Sequence, residues 1–316
     1  MVHFHGITGA VNRAELLAAN YVDREVRRAV EVGALVALAP GVVILRELLT
    51  EDTPEQQHRH RALAAIRRDA RSPEVRDAKH TRALALSSAG AVLGLPVWGL
   101  DTSRVSIADS GRTPGTRTTS RTRLITDTRP PALVDVDGVL VVSPARTVVD
   151  IARTSARIPA IAVGDAALHA GLCTVEDLQN ELDLLTGMRG RAAAIRVIGR
   201  CDGKAEPVLE TRSRVELVDA GVPEPELQVN IYDAQGRFLA RVDRYWRDGR
   251  LCGEADGNKK YGDDPDETRR ALIGEKARAD GVVETGHALL RWGWRDLDEP
   301  AVLAERVMRM LGWRAA

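Results

Sequence analysis

Apolar and polar residues over the first 33 positions alternate with the period of short helices. This spacing predicts a helix over residues 11–19, in which Asn12 is the N-cap and Glu15, three residues later, completes a capping box. A second helix is predicted over residues 24–32, with its apolar side chains on one face. Asp23 stands immediately before this helix, so we expect the Asp23 side chain to cap it.

The pattern then changes to that of strands. Gly33 ends the second helix, and the apolar run over 34–45 predicts two short strands about a Pro-Gly turn. The polar face of the second helix carries Arg24, Arg27 and Arg28. A helix, a turn, an arginine-bearing helix and a two-stranded wing are typical of a winged helix-turn-helix, which we expect over residues 1–50 as a domain that binds double-stranded DNA. The alternatives are a merely solvated helix face and a protein-binding module.

The same segment resembles the N-terminal domain of AbiEi-type antitoxins and related actinobacterial regulators. The matching positions are Gly9, Arg13, Leu16, Arg27, Gly33, Leu35, Leu38, Gly41 and Val42. A valine follows Val42 where the family often has an aromatic residue. The resemblance implies transcriptional regulation within a type IV toxin–antitoxin system of phage defence. It also implies Arg13 as a further DNA-binding residue and a nucleotidyltransferase-like toxin as partner.

Residues 51–203 predict a middle α/β domain. A helix is expected over 55–70, with Leu63 and Ile66 inward, and a second helix over 80–93. Alternating segments predict a small antiparallel sheet with strands at 105–107, 122–126 and 139–142. The Arg-, Thr- and Gly-rich segment over 111–120 is expected to be a mobile basic loop.

A further helix, with proline in its first turn, is predicted to begin at Ser143-Pro144. The phrase from Ser143 to Arg153 is similar to one that AbiEi-like proteins carry after the winged helix. Its Arg146 and Asp150 are four residues apart on the helix, which favours a structural ion pair. More helices are predicted at 159–170, 174–185 and 189–200.

Residues 204–316 show a different order of elements. The pattern predicts a helix, three strands, a helix, a strand and a final helix, at 205–218, 226–233, 237–246, 251–256, 263–280, 282–292 and 298–311. The first six have the αβββαβ order of the restriction-endonuclease, or PD-(D/E)XK, core. We therefore expect the whole chain to be an α+β multidomain protein.

Two strands of this last domain carry acidic residues that we expect to converge. Asp243 lies near the end of one strand, and Glu254 and Asp256 lie two apart on the next, so these two point to the same face. Carboxylates so close together repel one another unless a positive charge lies among them. Hydrated Mg²⁺ suits oxygen ligands of this kind, and many nucleases use it to activate water against a phosphodiester. We therefore predict a Mg²⁺ site at Asp243, Glu254 and Asp256.

The last domain also resembles the Vsr-like, restriction-endonuclease-like domain of many actinobacterial proteins. The matching residues are Glu210, Arg214, Leu217, Gly221, Pro223, Pro225, Gln228, Asp243, Trp246, Glu254, Asp256 and Gly257. In such a site Glu210 would add a carboxylate, and Lys260 or Lys259 would neutralise the charge that develops on the scissile phosphate. Asp256 departs from the PD-(D/E)XK pattern, in which a lysine stands two residues after the glutamate. Relatives often have a histidine near position 260, so a general base of near-neutral pKa is missing here.

Two hypotheses of function follow. The first is a DNA-binding regulator similar to an AbiEi-type antitoxin, whose last domain is a nuclease fold without activity. Its carboxylates would then cap loops or pair with Arg241, Arg244 and Arg250. The second is a Mg²⁺-dependent DNA endonuclease that its winged helix directs to DNA.

The amino-acid composition indicates the cellular compartment but does not indicate which class of molecule the protein binds. Lys plus Arg and Asp plus Glu number 45 each, so the formal net charge of zero predicts no class of partner. The three cysteines, Cys173, Cys201 and Cys252, lack the spacing of a zinc site. The sequence shows neither a signal sequence nor an apolar run of membrane length, so we expect a cytoplasmic protein.

Overall fold

The computed structural model of this chain describes residues 9–39, 41–50, 52–69, 81–110, 114–126, 129, 132–204, 207–256 and 265–312. These residues form helices and three sheets, so the expected α+β multidomain class is confirmed at this level. The chain divides between Cys201 and Asp202 into two compact units. The further boundary that the sequence places between residues 50 and 51 stays a prediction.

The first unit begins with short helices and a small sheet. In chain order the elements are β1 (Val11–Asn12), α1 (Arg13–Ala18), α2 (Asp23–Glu31), β2 (Leu35–Ala39), β3 (Val42–Leu45), α3 (Arg46–Thr50) and α4 (Pro54–Asp69). Strand β3 lies between β1 and β2 and is antiparallel to both. The core that holds α1 and α2 on this sheet consists of Leu16, Val26, Ala29, Leu35 and Val43. The predicted helices and strands are confirmed, and β1 is an addition.

The helix caps agree with the sequence in one case and differ in the other. The Asn12 side chain accepts from Glu15 N at 2.9 Å, and the Glu15 carboxylate accepts from Asn12 N at 2.7 Å, so the capping box is confirmed. The prediction that Asp23 caps α2 is wrong. Val22 is the N-cap, its N–H donates to the Glu25 side chain at 3.0 Å, and Asp23 is the first helical residue. The carboxylate of Asp23 is turned instead towards arginines, as described below.

A six-stranded mixed sheet lies at the middle of the first unit. Its strands are β4 (Arg82–Leu84), β5 (Val105–Asp109), β6 (Gly115–Thr118), β7 (Thr122–Thr126), β8 (Leu133–Val136) and β9 (Val139–Val142), in the spatial order β6-β7-β5-β4-β9-β8. Strand β5 is parallel to β7, so the predicted antiparallel sheet is wrong in this pair. Strand β4, which was not predicted, is parallel to β9. Alternation of apolar residues is the same in both strand directions and cannot distinguish them. The segment predicted as a loop contains β6, whose backbone pairs with β7.

Part of one predicted helix is a strand. The sequence predicts a helix over 80–93, but residues 82–84 form β4, and only α5 (Leu86–Val92) is helical. Sheet pairing decides this outcome, since Arg82 lies opposite Asp109 and donates to its carboxylate at 3.1 Å. Tertiary pairing of this kind overrides local helix preference.

Helices complete the first unit. They are α6 (Pro144–Thr154), α7 (Arg157–His169), α8 (Val175–Asp183) and α9 (Arg191–Ile198), and each bound lies within two residues of its prediction. Helices α4 and α5 pack on one face of the six-stranded sheet, where Leu63 and Ile66 meet Leu84, Ile107 and Val141 in a common core. The inward orientation predicted for Leu63 and Ile66 is therefore confirmed.

The second unit is built on a four-stranded sheet. Its elements are α10 (Val208–Asp219), β10 (Glu226–Tyr232), β11 (Phe238–Trp246), β12 (Leu251–Ala255), α11 (Pro265–Glu284), β13 (Ala288–Trp292), a 3₁₀ helix (Trp294–Asp298) and α12 (Pro300–Met310). The strands lie in chain order. The first three are antiparallel, and β13 is parallel to β12. The last strand is shorter than predicted, because residues 282–284 belong to α11.

Two cores stabilise the second unit. Trp246, Leu251 and Trp292 of the sheet pack with Leu209 of α10 and Val307 of α12. A second cluster joins the sheet to α11 and contains Ile231, Val242, Tyr245, Cys252 and Val282. Throughout the part of the chain that the structure describes, every helix is too short or too polar to traverse a lipid bilayer.

His58 of α4 is a buried polar residue at the centre of the first unit. Its Nε2 lies 3.0 Å from Ser88 Oγ, which in turn accepts from Ser106 N at 2.9 Å. These contacts join α4, α5 and β5. Burial is the main reason why the pKa of His58 falls from 6.5 to about 4, and the charge of Arg61 lowers it further.

The stability of the protein should therefore depend on pH through His58. The unfolded chain binds a proton there below pH 6.5, so stability due to the neutral, buried imidazole is complete above pH 6.5 and is lost as the pH falls towards 4. Between pH 7 and pH 5 we expect a loss on the order of 2 kcal/mol, which His58→Gln should remove. Urea unfolding of both proteins at the two pH values measures it. The same pH dependence in both would contradict this role.

Candidate functional site

The outer face of α2 is a row of exposed arginines. Arg24, Arg27 and Arg28 are exposed, whereas Val26 and Ala29 of the same helix are buried in the core with α1 and the small sheet. The two sets separate because of the helical period. The apolar contacts hold α2 against α1 and the small sheet, so the three guanidinium groups extend from a packed helix.

Asp23 balances part of this positive charge. Its carboxylate pairs with Arg13 and lies 2.8 Å from Arg27, one turn along the helix. The hydrogen bond from Arg13 is the main reason why the pKa of Asp23 lies below its ordinary value. Among the described residues, Arg24 and Arg28 enter no ion pair, so they carry the uncompensated charge of this face.

A row of polar residues crosses the sheet of the second unit. The register of β10 with β11 places Gln228 beside Asp243. The register of β11 with β12, continued by one residue, places Asp243 beside Glu254, and Glu254 pairs with Arg291 of β13. We call Gln228, Asp243, Glu254 and Arg291 the polar row. Two of the predicted carboxylates therefore lie side by side on neighbouring strands.

Arg291 is the positive charge among the acidic residues. Its Nε lies 2.7 Å from Glu254 and 3.6 Å from Asp256, and its Nη1 lies 3.1 Å from Glu275 of α11. Burial by itself would lower the pKa of Arg291, but the contacts with these carboxylates raise it above its ordinary value. A cation thus lies between the predicted carboxylates, and a side chain supplies it.

Asp243 and Glu210 are held by other contacts. Asp243 Oδ2 accepts from Ala255 N at 2.9 Å, which ties β11 to the end of β12. Glu210 is buried on α10 and accepts from Gln228 Nε2 at 3.2 Å. Gln228 has a φ of +55°, an uncommon and strained value for a residue with a side chain. Strained backbone of this kind is common at functional sites, so the conformation of Gln228 supports a functional role for this part of the sheet.

Arg244 lies beneath the same residues and is almost completely buried. It donates to the carbonyl of Glu210 and to Ser213 Oγ, the latter at 2.7 Å, and its guanidinium lies 5.2 Å from the centre of the Trp292 ring. Burial lowers the pKa of Arg244 to about 10, although the negative charges of Glu210 and Asp243 act to raise it. The group therefore remains charged at neutral pH and offsets part of the negative charge of the site.

The carboxylates of this region are engaged by protein groups. No group of three or more His, Cys, Asp and Glu side chains within the described ranges is placed to hold one. Glu254 is bound to Arg291, and Asp243 accepts from a backbone N–H. Lys259 and Lys260 lie outside the described residues. The Mg²⁺ site stays a prediction.

Two curated proteins of Mycobacterium tuberculosis are similar to this chain. Uncharacterized protein MT2308 of strain CDC 1551 / Oshkosh is 32% identical over 217 residues, which cover 68% of this chain and 78% of the relative. The same values hold for uncharacterized protein Rv2248 of strain ATCC 25618 / H37Rv. The chain belongs to this family. No protein-family model matches it. The names of the relatives assign no activity.

Sequence reasoning missed the basic member of the polar row. Arg291 is flanked by apolar residues in β13, and an isolated arginine in such a strand is a signal of a buried or half-buried partner. Its pairing with Glu254 depends on the parallel register of β12 with β13, which the sequence does not give. Glu275 was missed for a similar reason, since it reaches the site from a helix that follows later in the chain.

Removing Arg291 should destabilise the second unit. In Arg291→Ala, Glu254 and Glu275 lose their common partner and repel each other, which should cost about 1 kcal/mol for such a partly exposed network. Urea unfolding measures the loss. The control is Arg247→Ala, which breaks an exposed pair with Glu226 and should have a smaller effect. Equal effects of the two substitutions would show that Arg291 is only a surface partner.

Proposed function

We propose that this chain is a DNA-binding regulator of the AbiEi antitoxin type, with a winged helix near its N-terminus and an inactive restriction-endonuclease-like domain. The observation that carries the proposal is the exposed arginine face of α2. Helices α1 and α2 are followed by the hairpin of β2 and β3, which is the order of elements in a winged helix-turn-helix. In this proposal α2 is the recognition helix, and the hairpin is the wing.

The charges on α2 support this role. Arg24 lies in the first turn, the end of a recognition helix that reaches base edges, and Arg28 follows one turn later on the same side. Guanidinium groups bind phosphate and guanine through paired hydrogen bonds. Arg13 and Arg27 add further positive charge, but both must share Asp23. Arg24 and Arg28 are therefore the residues that we expect to contribute most to DNA affinity.

The second unit supports a regulator rather than an enzyme. The order of its elements, with three antiparallel strands and a fourth parallel to the third, is that expected of the restriction-endonuclease-like core. Its carboxylates are engaged by Arg291, by Gln228 and by a backbone N–H. In this proposal the unit supplies a surface for DNA or for a nucleotidyltransferase-like toxin. The toxin follows from the resemblance of the N-terminal segment to AbiEi-type antitoxins.

Replacing Arg24 and Arg28 together by alanine should weaken DNA binding. Each lost phosphate contact should reduce the slope of log K against log salt by about 0.9, and each lost base contact should cost roughly 1–3 kcal/mol. Fluorescence anisotropy with a labelled duplex from the region upstream of the coding sequence measures both quantities when it is repeated at several salt concentrations.

The matched control is Arg196→Ala, which removes an exposed arginine from α9 in the same unit. We expect this variant to bind DNA as the unaltered protein does. If the control and the double variant weaken binding equally, or if neither does, then α2 is not the helix that contacts DNA.

A metal-dependent DNA endonuclease is the second candidate function. The polar row favours it, because Asp243 and Glu254 lie side by side next to the strained backbone of Gln228. The pairing of Glu254 with Arg291 opposes it. The two candidates differ in what the carboxylates do, so substitutions at these residues separate them.

Incubation with supercoiled plasmid in Mg²⁺, in Mn²⁺ and in EDTA compares the two candidates. We expect no metal-dependent nicking. Asp243→Asn and Glu254→Gln should retain DNA affinity or increase it, because each substitution removes negative charge. Nicking that requires the metal and disappears in Glu254→Gln would instead identify an endonuclease with its active site at the polar row.

A further inference from the structure

The first unit contains a cavity of about 850 Å³ between the six-stranded sheet and α6. This volume lies within the range of small-molecule sites in proteins. The proposed DNA-binding helix, α2, does not contribute to its wall. The cavity is therefore a feature separate from the proposed function.

The cavity exists because one face of the sheet carries small side chains. Ala83 of β4 pairs with Ala108 of β5, and Ala108 pairs with Ile125 of β7, so these residues share one face. The alternate residues, such as Leu84 and Ile107, point to the other face and fill the core with α4 and α5. Ala83 is buried in a small apolar cluster with Ala85 and Val142, against which Ala108 and Leu133 pack, so this part of the floor is apolar.

Arginines form much of the wall. They are Arg123, Arg129, Arg146, Arg153 and Arg189. Arg146 and Arg153 lie seven residues apart on α6, with Asp150 between them, so all three face the cavity from one side of the helix. Arg129 and Arg146 are more than nine-tenths buried, and Arg146 is anchored by an ion pair with Glu181. The motif noted in the sequence between Ser143 and Arg153 thus supplies one wall of the cavity.

The two acidic residues in the wall are already balanced. Asp150 lies 2.6 Å from Arg129 and 2.8 Å from Arg153, and so has two cationic partners. Asp109 lies 3.1 Å from Arg82, which approaches from the neighbouring strand. Among the described residues of the wall, arginines therefore outnumber acidic residues. Such a cavity attracts an anion and, because its walls reduce solvent screening, holds it more strongly than an open surface would.

Two further arginines are available for a ligand. Arg123 on β7 is half-buried, and Arg189 in the connection before α9 is exposed. Within the described ranges neither enters an ion pair. Neither is held by an ion pair that would have to break before it could bind an anion, although the charge of Arg123 also acts on Asp101. Arginine suits phosphate in particular, because its planar group donates two parallel hydrogen bonds to neighbouring oxygens.

We infer that this cavity is a binding site for a small organic phosphate, such as a nucleoside diphosphate. Several guanidinium groups around one space match a ligand with more than one negative charge. The volume is much larger than a single phosphate group needs, and the alanine floor accommodates an uncharged organic part.

Calorimetric titration of the full chain with ADP, pyrophosphate, adenosine and citrate tests the inference. We expect saturable binding of ADP, weaker binding of pyrophosphate and of citrate, and none of adenosine. Arg123→Ala and Arg189→Ala should each weaken ADP binding by about tenfold, as expected for the loss of one charge-assisted hydrogen bond. Both variants should keep the melting temperature of the unaltered protein, since the substituted side chains are in no described ion pair.

The matched control is Arg117→Ala on β6. Arg117 is exposed and pairs with Leu124, so it lies on the sheet face opposite to the cavity, and its loss should leave ADP binding unchanged. The inference is overturned if ADP does not bind, if citrate binds better than ADP, or if Arg117→Ala weakens ADP binding as much as Arg123→Ala does. ADP binding that is lost in the Arg24 and Arg28 double variant would also overturn it, because the ligand would then occupy the DNA-binding face.

Discussion

Burial of a guanidinium group is a strong constraint on a fold, because its removal from water costs several kcal/mol unless acceptors and negative charge lie beside it. Each unit of this chain contains such a group. In the first unit, Arg82 enters the six-stranded sheet and is held by Asp69 and Asp109. In the second, Arg244 lies between α10 and Trp292 and donates through Nη2 to the carbonyl of Glu210 and to Ser213. Its Nε and Nη1 are buried without a hydrogen-bond partner, and the negative charges of Glu210 and Asp243 offset part of that cost. These groups fix how helices lie on sheets, and apolar packing then completes each core.

The balance of charge differs between the three regions that could act on a ligand. At the polar row, one arginine, Arg291, is shared by Glu254, Asp256 and Glu275, and Asp243 accepts from a backbone N–H, so the region keeps a net negative charge. At α2, the Asp23 carboxylate pairs with both Arg13 and Arg27. Arg24 and Arg28 have no acidic partner among the described residues. In the cavity beside α6, Asp150 serves Arg129 and Arg153 in the same way. Both basic regions therefore attract anions, whereas the polar row has more carboxylates than cations, each held by protein contacts.

Local features of the fold could be predicted because local chemistry decides them. The capping box of Asn12 and Glu15 involves residues three apart, and the helices after β9 follow from an uninterrupted apolar period. Candidate residues could also be found in this way, since the arginines of α2 lie on the polar side of a short amphipathic helix. Asp243 and Glu254 were found because they belong to adjacent strands of one hairpin, where the register depends on a short turn.

What the sequence alone determined was therefore most of the helices and strands, their order and the residues that neighbouring elements bring together. The tertiary structure decided every pairing between segments far apart in the chain. Residues 82–84 become a strand because β5 and β9 lie beside them, and Arg291 reaches Glu254 because β13 runs parallel to β12. The cavity beside α6 likewise depends on which face of the sheet its alanines occupy. Such pairings depend on free energies summed over the whole unit, and no local pattern of apolar and polar residues contains that sum.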